Sequence, residues 1–320
     1  MIGAEWKKLL RQRWLIGIAI LLIFVDVGLF LNTQYTEKKD RVAAVPLFAE
    51  YQKETADMTN EQAQEYLTDQ LNTLSNFQFV QIALNGEVDE GLLQGLVEEN
   101  PNILEEYQQA GYEEDPLALM TKIQVISELL GQYQNVSGYQ AYLESIQTQY
   151  EQMKDSSFYE GRPYAEAQGK KTTEDFAKLQ GTELEIGMNW GVEALMEEQI
   201  SSEILILLAL GICIVLVSQD RTHDLFGLLR SCRRGHGCLI AAKFAIALTA
   251  VLFLGIIVYG SQIAIAWKLY GMGNLNRPMQ SVNELNESAR QLTVGGYLLD
   301  YYLRHLIAVL VLTAFMLCLF

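Results

Sequence analysis

The side chains best equipped for chemistry are few in this chain, and their spacing rules against most of the reactions they could perform. His223, Cys232, His236 and Cys238 lie close together, and thiolates and imidazoles are the usual ligands of zinc. The two histidines are 13 positions apart and the two cysteines six. That pattern matches no standard zinc knuckle, so no metal site is expected. The stretch "GRPYAEAQGKK" has the flavour of a phosphate-binding loop, but its glycines are too far apart. A lysine also stands where a Ser or Thr would touch magnesium. With only three histidines in the chain and no recognisable nucleophile motif, no catalytic residue, cofactor or ATP hydrolysis is expected of it.

Two other groups of residues need a physical explanation. Asp26 interrupts the apolar run "LIGIAILLIFVDVGLFL". A carboxylate in the middle of a membrane span costs about 2.5–3.5 kcal/mol on insertion scales, so Asp26 is expected to face other helices or water. Lining a pathway and pairing with a neighbouring polar group are both open to it. The second group is "SQDRTHDLFGLLRSCRRGHGCLIAAK", Ser218 to Lys243. If Asp220 to Ser231 is helical, Leu225, Leu228 and Leu229 form one apolar patch with Phe226 on its flank, beside Arg230, Arg233 and Arg234. Burying each such side chain is worth roughly 1.5–3 kcal/mol, so the patch is worth at most about 6–12 kcal/mol before entropy. It is expected to meet either the lipid surface or a protein groove.

The elements that must position these residues follow from hydropathy and charge. Residues Thr33 to Ile200 hold 31 acidic and 10 basic side chains, a net charge of −21, while the rest of the chain sums to +5. An acidic polar middle between apolar, weakly basic flanks reads as a membrane protein with an insertion, and no nucleic-acid partner is expected. Three apolar runs, 15–31, 200–217 and 244–266, are each long enough to cross a bilayer. A fourth, Leu306 to Phe320, has 15 residues. It reaches only about 22 Å as a helix, so 304–320 is taken as the start of a fourth span in a truncated chain. Lys7, Lys8, Arg11 and Arg13 place residues 1–14 in the cytoplasm by the positive-inside rule, and the arginines of 218–243 satisfy the rule again. Residues 33–199 and the loop 267–303 are then extracytoplasmic. The first run is too long for a signal-peptide core and lacks a small-residue cleavage site. Trp6, Trp14, Trp190 and Trp267 fall near run ends, where interfacial anchors are expected.

The predicted fold class is mainly α, a polytopic α-helical membrane protein with a helical extracytoplasmic domain. Within 33–199, Thr59 and Gln62 form a capping box ahead of a helical repeat through Phe77. Asn100-Pro101 and Asp115-Pro116 each predict a helix start. Leu119 to Leu130 predicts one helix and Tyr139 to Met153 another, with Gly111, Gly131, Gly161 and Gly181 as punctuation and a short extended piece at "TELEIG". The tyrosines read as packing residues before they read as a recognition box. No cysteine lies in this region, so no disulfide holds it.

The order of elements resembles that of ABC-2 type permeases, the membrane subunits of ABC exporters. "GAEWKKLLRQRW" stands where the family has a short amphipathic helix. Asp220 and Arg221, Leu228-Leu229-Arg230-Ser231, Arg233-Arg234-Gly235-His236-Gly237 and Ala242-Lys243 resemble its cytoplasmic coupling segment. The chain departs from the family at His223-Asp224-Leu225 and at Gly227, where Gly-Thr and proline are frequent. "LNRPMQSVNELNESARQLTVGGYL" resembles the outer loop of clostridial-type members. The resemblance implies a plasma-membrane, multi-pass permease that pairs with a second copy or paralogue and couples to a cytoplasmic ATP-binding subunit. It places Asp220, Leu225, Leu228, Leu229, Arg230, Arg233 and Arg234 at that contact. The alternative is a membrane-anchored sensor or scaffold presenting an extracytoplasmic helical bundle. Only about 25 residues separate the second and third runs, which leaves little room there for a signalling domain.

Overall fold

A computed structural model describes residues 2–86, 90–112, 115–197, 200–222 and 235–319. The chain begins with α1 (Ile2–Arg11) and α2 (Arg13–Asn32), which runs into a π-helical turn, Thr33–Glu37. Six helices follow: α3 (Lys39–Glu54), α4 (Asn60–Leu84), α5 (Glu90–Glu99), α6 (Ile103–Gln109), α7 (Pro116–Asp155) and α8 (Pro163–Ala177). After an extended stretch come α9 (Trp190–Met196), α10 (Ser201–Thr222), α11 (Gly235–Tyr270) and α12 (Val294–Leu319). The mainly α, polytopic fold read from the sequence is what the chain adopts. Among the described residues the one β feature is an isolated bridge, Pro278 to Thr293.

These elements form two compact units. One comprises Met1–Lys38, Gly191–Gly271 and Gly296–Phe320, and the other Lys39–Trp190 and Met272–Gly295. The first holds four helices long and apolar enough to cross a membrane. Its surface is the reverse of a water-soluble bundle: Phe24, Phe253, Val311 and Phe315 are exposed while Asp26, Ser201 and Gln262 are buried. That inversion is what a hydrocarbon solvent selects. α1 packs on α10 and α11, and α2 also packs on both. α12 approaches α11 at Gly255, where an added Cβ would lie 2.6 Å from a methyl carbon of Leu306. Small residues permit such close approach between helices in a membrane.

Three of these helices outrun their sequence-predicted bounds. α10 continues to Thr222 and α11 starts at Gly235, so helix occupies both ends of the segment expected to be a 218–243 loop. Residues 223–234 lie outside the described part of the chain. α12 has 26 residues, about 39 Å of helix. The run that begins at Leu306 is therefore the latter part of a longer helix, which starts at Val294. The helix extends backward because Tyr297, Tyr301 and Tyr302 are amphipathic, and because Asp300 and Arg304 pair at 2.7 Å one turn apart.

The second unit is organised on α7, against which α3, α4 and α8 pack. Leu67, Leu119, Ile126 and Leu129 are fully buried along these faces. Phe77, Tyr107 and Tyr112 form an aromatic cluster with ring centroids 5.9–6.4 Å apart. The capping box is present, with Thr59 Oγ1 accepting from the Gln62 amide at 3.3 Å and Gln62 Oε1 accepting from the Thr59 amide at 3.0 Å. Asp115 caps α7 as expected. Asn100 instead accepts from the Asn102 amide in a turn, and α6 starts two residues after the proline, at Ile103. The two helices expected around Leu119–Leu130 and Tyr139–Met153 are one 40-residue helix. Gly131 lies within it, because tertiary packing overrides a single glycine's cost of about 1 kcal/mol. Gly111, Gly161 and Gly181 do end elements, each with φ between 72° and 78°.

The extended stretch 182–189 has no strand partner, so side chains satisfy its backbone. The Gly187 amide donates to Gln132 Oε1 at 3.0 Å, and the Glu185 amide to Ser281 Oγ at 3.1 Å. Gln52 donates to the Ile186 carbonyl at 3.2 Å, and Arg277 to that of Met188 at 2.9 Å. Arg277 is buried, also binds Asn189 Oδ1 at 2.7 Å, and is held below the usual guanidinium range by loss of water. Residues 272–295, read from the sequence as an outer loop, thus complete this unit's core.

Trp190 corrects another expectation. It is not an interfacial anchor but is buried with its ring edge-on to Phe48, the centroids 5.4 Å apart. Trp190→Ala is expected to destabilise this unit by about 3–5 kcal/mol. Urea-dependent proteolysis of the purified chain will measure this, and an unshifted midpoint contradicts the core placement.

Candidate functional site

One group of polar residues of the membrane-type unit gathers near one end of its helices. Asp26 lies beyond the midpoint of α2; Ser201, Ser202 and Glu203 form the first turn of α10; and Tyr259 and Gln262 lie one turn apart on α11. α12 adds Tyr301, Tyr302 and His305. Ser201 Oγ donates to Asp26 Oδ1 at 2.7 Å. Gln262 Nε2 donates to Asp26 Oδ2 at 3.2 Å and to Ser201 Oγ. Three helices therefore meet on one carboxylate, and all three side chains are almost wholly buried. Every donor in the triad points inward. Gln262 Oε1 accepts no hydrogen bond from the described residues.

Two cavities flank the triad. The larger, 480 Å³, is bounded by Ser202, Glu203, Tyr259, Tyr302 and His305, and the smaller, 140 Å³, by Asp26, Phe30 and Gln34. Ser201, Gln262, Glu197 and Ile200 line both. The Ser202 and Tyr259 hydroxyls lie 3.2 Å apart, and the Tyr302 hydroxyl donates to the Leu195 carbonyl at 3.3 Å. The Tyr259 and Tyr302 rings are 4.9 Å apart. His305 Nδ1 is 2.8 Å from the Tyr301 carbonyl. A carbonyl only accepts, so this nitrogen carries the proton and Nε2 of the neutral ring is an acceptor. Lys38 pairs with Glu197, and the Tyr270 hydroxyl donates to Gln34 Oε1 at 2.7 Å. The arrangement is suited to binding. No group of three or more metal-ligating side chains occurs among the described residues.

Of the residues singled out from the sequence, Asp26 is at this site, and it both pairs with polar neighbours and lines a cavity. The backbone of Asp220 lies in the last turn of α10. Leu225, Leu228, Leu229, Arg230, Arg233 and Arg234 lie outside the described residues. Ser201 and Gln262 were missed by sequence reasoning. Their signal was present as polar residues inside otherwise apolar runs, but nothing in the order of the chain pairs positions 26, 201 and 262.

A smaller cavity of 240 Å³ belongs to the second unit, beside Tyr139, Tyr142 and Glu287. Burial pushes the Tyr139 hydroxyl up to about 12. Tyr66, Tyr142 and Tyr150 are half-buried, as packing residues would be.

Comparison with protein-family models, with curated proteins and with solved structures finds no match to this chain. The fold and the site therefore stand on their own geometry.

Gln262→Leu strips Asp26 of one donor and is expected to cost about 1–3 kcal/mol. Adding Asp26→Leu removes the stranded carboxylate and is expected to recover much of that loss. Chemical unfolding of the single and double variants in detergent reads the coupling, and strict additivity would show that the two side chains do not interact.

Proposed function

We propose that the chain is the membrane-spanning permease subunit of an ABC exporter, moving a substrate across the plasma membrane with ATP hydrolysed on a separate cytoplasmic subunit. The observation that carries the transport reading is the polar cavity walled by α10, α11 and α12, beside a carboxylate held between three apolar helices. Intramembrane ionisable residues facing a cavity mark substrate or ion paths more often than they serve stability alone. Coupling to an ATPase rests on the resemblance of 218–243 to the family's coupling segment. In this reading Leu225, Leu228 and Leu229 enter the ATPase groove while Arg230, Arg233 and Arg234 meet acidic groups around it. The permease works with a second copy or a paralogue.

The orientation belongs to the same proposal. Lys7, Lys8, Arg11 and Arg13 share the cytoplasmic side with the arginines after α10, and the acidic insertion lies outside. The sensor alternative is weaker, because only residues 223–234 separate α10 from α11. That is too short for a signalling domain between those spans.

Two experiments test this reading. An adjacent reading frame should encode an ATP-binding subunit that co-purifies with this chain, and the double substitution Leu228→Asp and Leu229→Asp should weaken association at least about tenfold, since charge in an apolar anchor is poorly tolerated. Undiminished association removes the coupling role. Tyr164 is 82% exposed, so Tyr164→Cys in a cysteine-free background should react with a membrane-impermeant maleimide added to intact cells. Labelling only after permeabilisation reverses the orientation.

A further inference from the structure

The polar groups around the larger cavity share a chemical bias. In the Asp26–Ser201–Gln262 triad the hydroxyl and both amide hydrogens are used on one another, so only acceptors remain to face outward. Gln262 is 1% exposed and lines both cavities, and its Oε1 is an unused acceptor. A buried polar atom left without a partner costs about 1–3 kcal/mol, which a donor arriving with a ligand would recover. His305 offers Nε2 as a further acceptor when neutral, and the Tyr302 proton is committed to Leu195. Glu203 adds a carboxylate to the wall, while the Glu197 charge is met by Lys38. The apolar parts of the wall are Leu195, Ile200 and the faces of Tyr259 and Tyr302.

We infer that this cavity binds an organic cation bearing N–H donors, a primary amine or guanidinium on an apolar body. The ammonium or guanidinium donates to the acceptors of the wall, and its positive charge is attracted by the Glu203 carboxylate on that wall and by Asp26 behind Ser201 and Gln262. The aromatic rings receive the apolar body and add cation–π attraction. A volume of 480 Å³ is that of a small-molecule site. An anion would meet the Glu203 carboxylate with a hydroxyl hydrogen of the Ser202–Tyr259 pair to offset it, and a purely apolar molecule would leave Gln262 Oε1 unpaired. The inference deepens the exporter reading by naming its substrate class, yet binding requires neither the ATPase nor transport.

The test uses the purified full chain in lipid nanodiscs, with the fluorescent primary amine monodansylcadaverine as probe and its N-acetylated, uncharged form as control. Saturable binding of the amine is expected, with the acetylated form at least tenfold weaker. Glu203→Gln, in an exposed first turn, should weaken the amine tenfold or more even if the Asp26 variant fails to fold, and Asp26→Asn, which acts from behind Ser201 and Gln262, should weaken it severalfold. Equal binding of the two probes, absence of saturable binding, or affinity in both folded variants within twofold of the parent would overturn the inference. Cation binding that persists when the ATPase fails to associate upholds this site and removes the exporter reading alone.

Discussion

One carboxylate sets the terms for the four-helix unit. Asp26 cannot remain charged among hydrocarbon side chains without donors, and α2 supplies none, so Ser201 from α10 and Gln262 from α11 must reach it. Apolar helices in a membrane have little hydrophobic reason to choose one register over another, since lipid tails are as greasy as leucine. Directional hydrogen bonds to a single buried group choose it for them. The polar contacts that extend toward α12 through Tyr259 and Tyr302 continue from that anchor, and the two cavities open on either side of it.

The second unit solves a different problem with the same chemistry. Its extended stretch carries backbone donors and acceptors into a helical environment with no neighbouring strand. Gln52, Gln132, Ser281 and Arg277 act as that strand would. Arg277 does so at a cost in hydration, visible in its lowered affinity for a proton and in its buried Nε and Nη1, which meet no partner among the described residues. In each unit a few long polar side chains, not a continuous ladder, fix the arrangement.

What could be read in the sequence was whatever is local. Helix caps at Thr59 and Asp115 are decided by residues three apart, and the first three apolar runs by composition, so both were legible. The boundaries of α10, α11 and α12 were not, because glycines and tyrosines at run ends look like punctuation until packing is known. The partners of Asp26 were hidden for a stronger reason. Positions 201 and 262 are separated from it by 175 and 236 residues, and no periodicity carries that information. Trp190 misled in the same way: its place near a run end said anchor, while Phe48, far away in sequence, made it core.

The two-piece character of the second unit bears on how the chain is made. Its larger piece is complete at Trp190, but Arg277, Met279 and Val282, all buried, arrive only after α10 and α11 have been synthesised. Until then the stretch at 182–189 lacks Ser281 and Arg277, and the nascent unit waits with its core unsealed. Synthesis of two intervening helices must therefore precede completion of a body whose larger piece comes before them, which ties the making of one unit to that of the other.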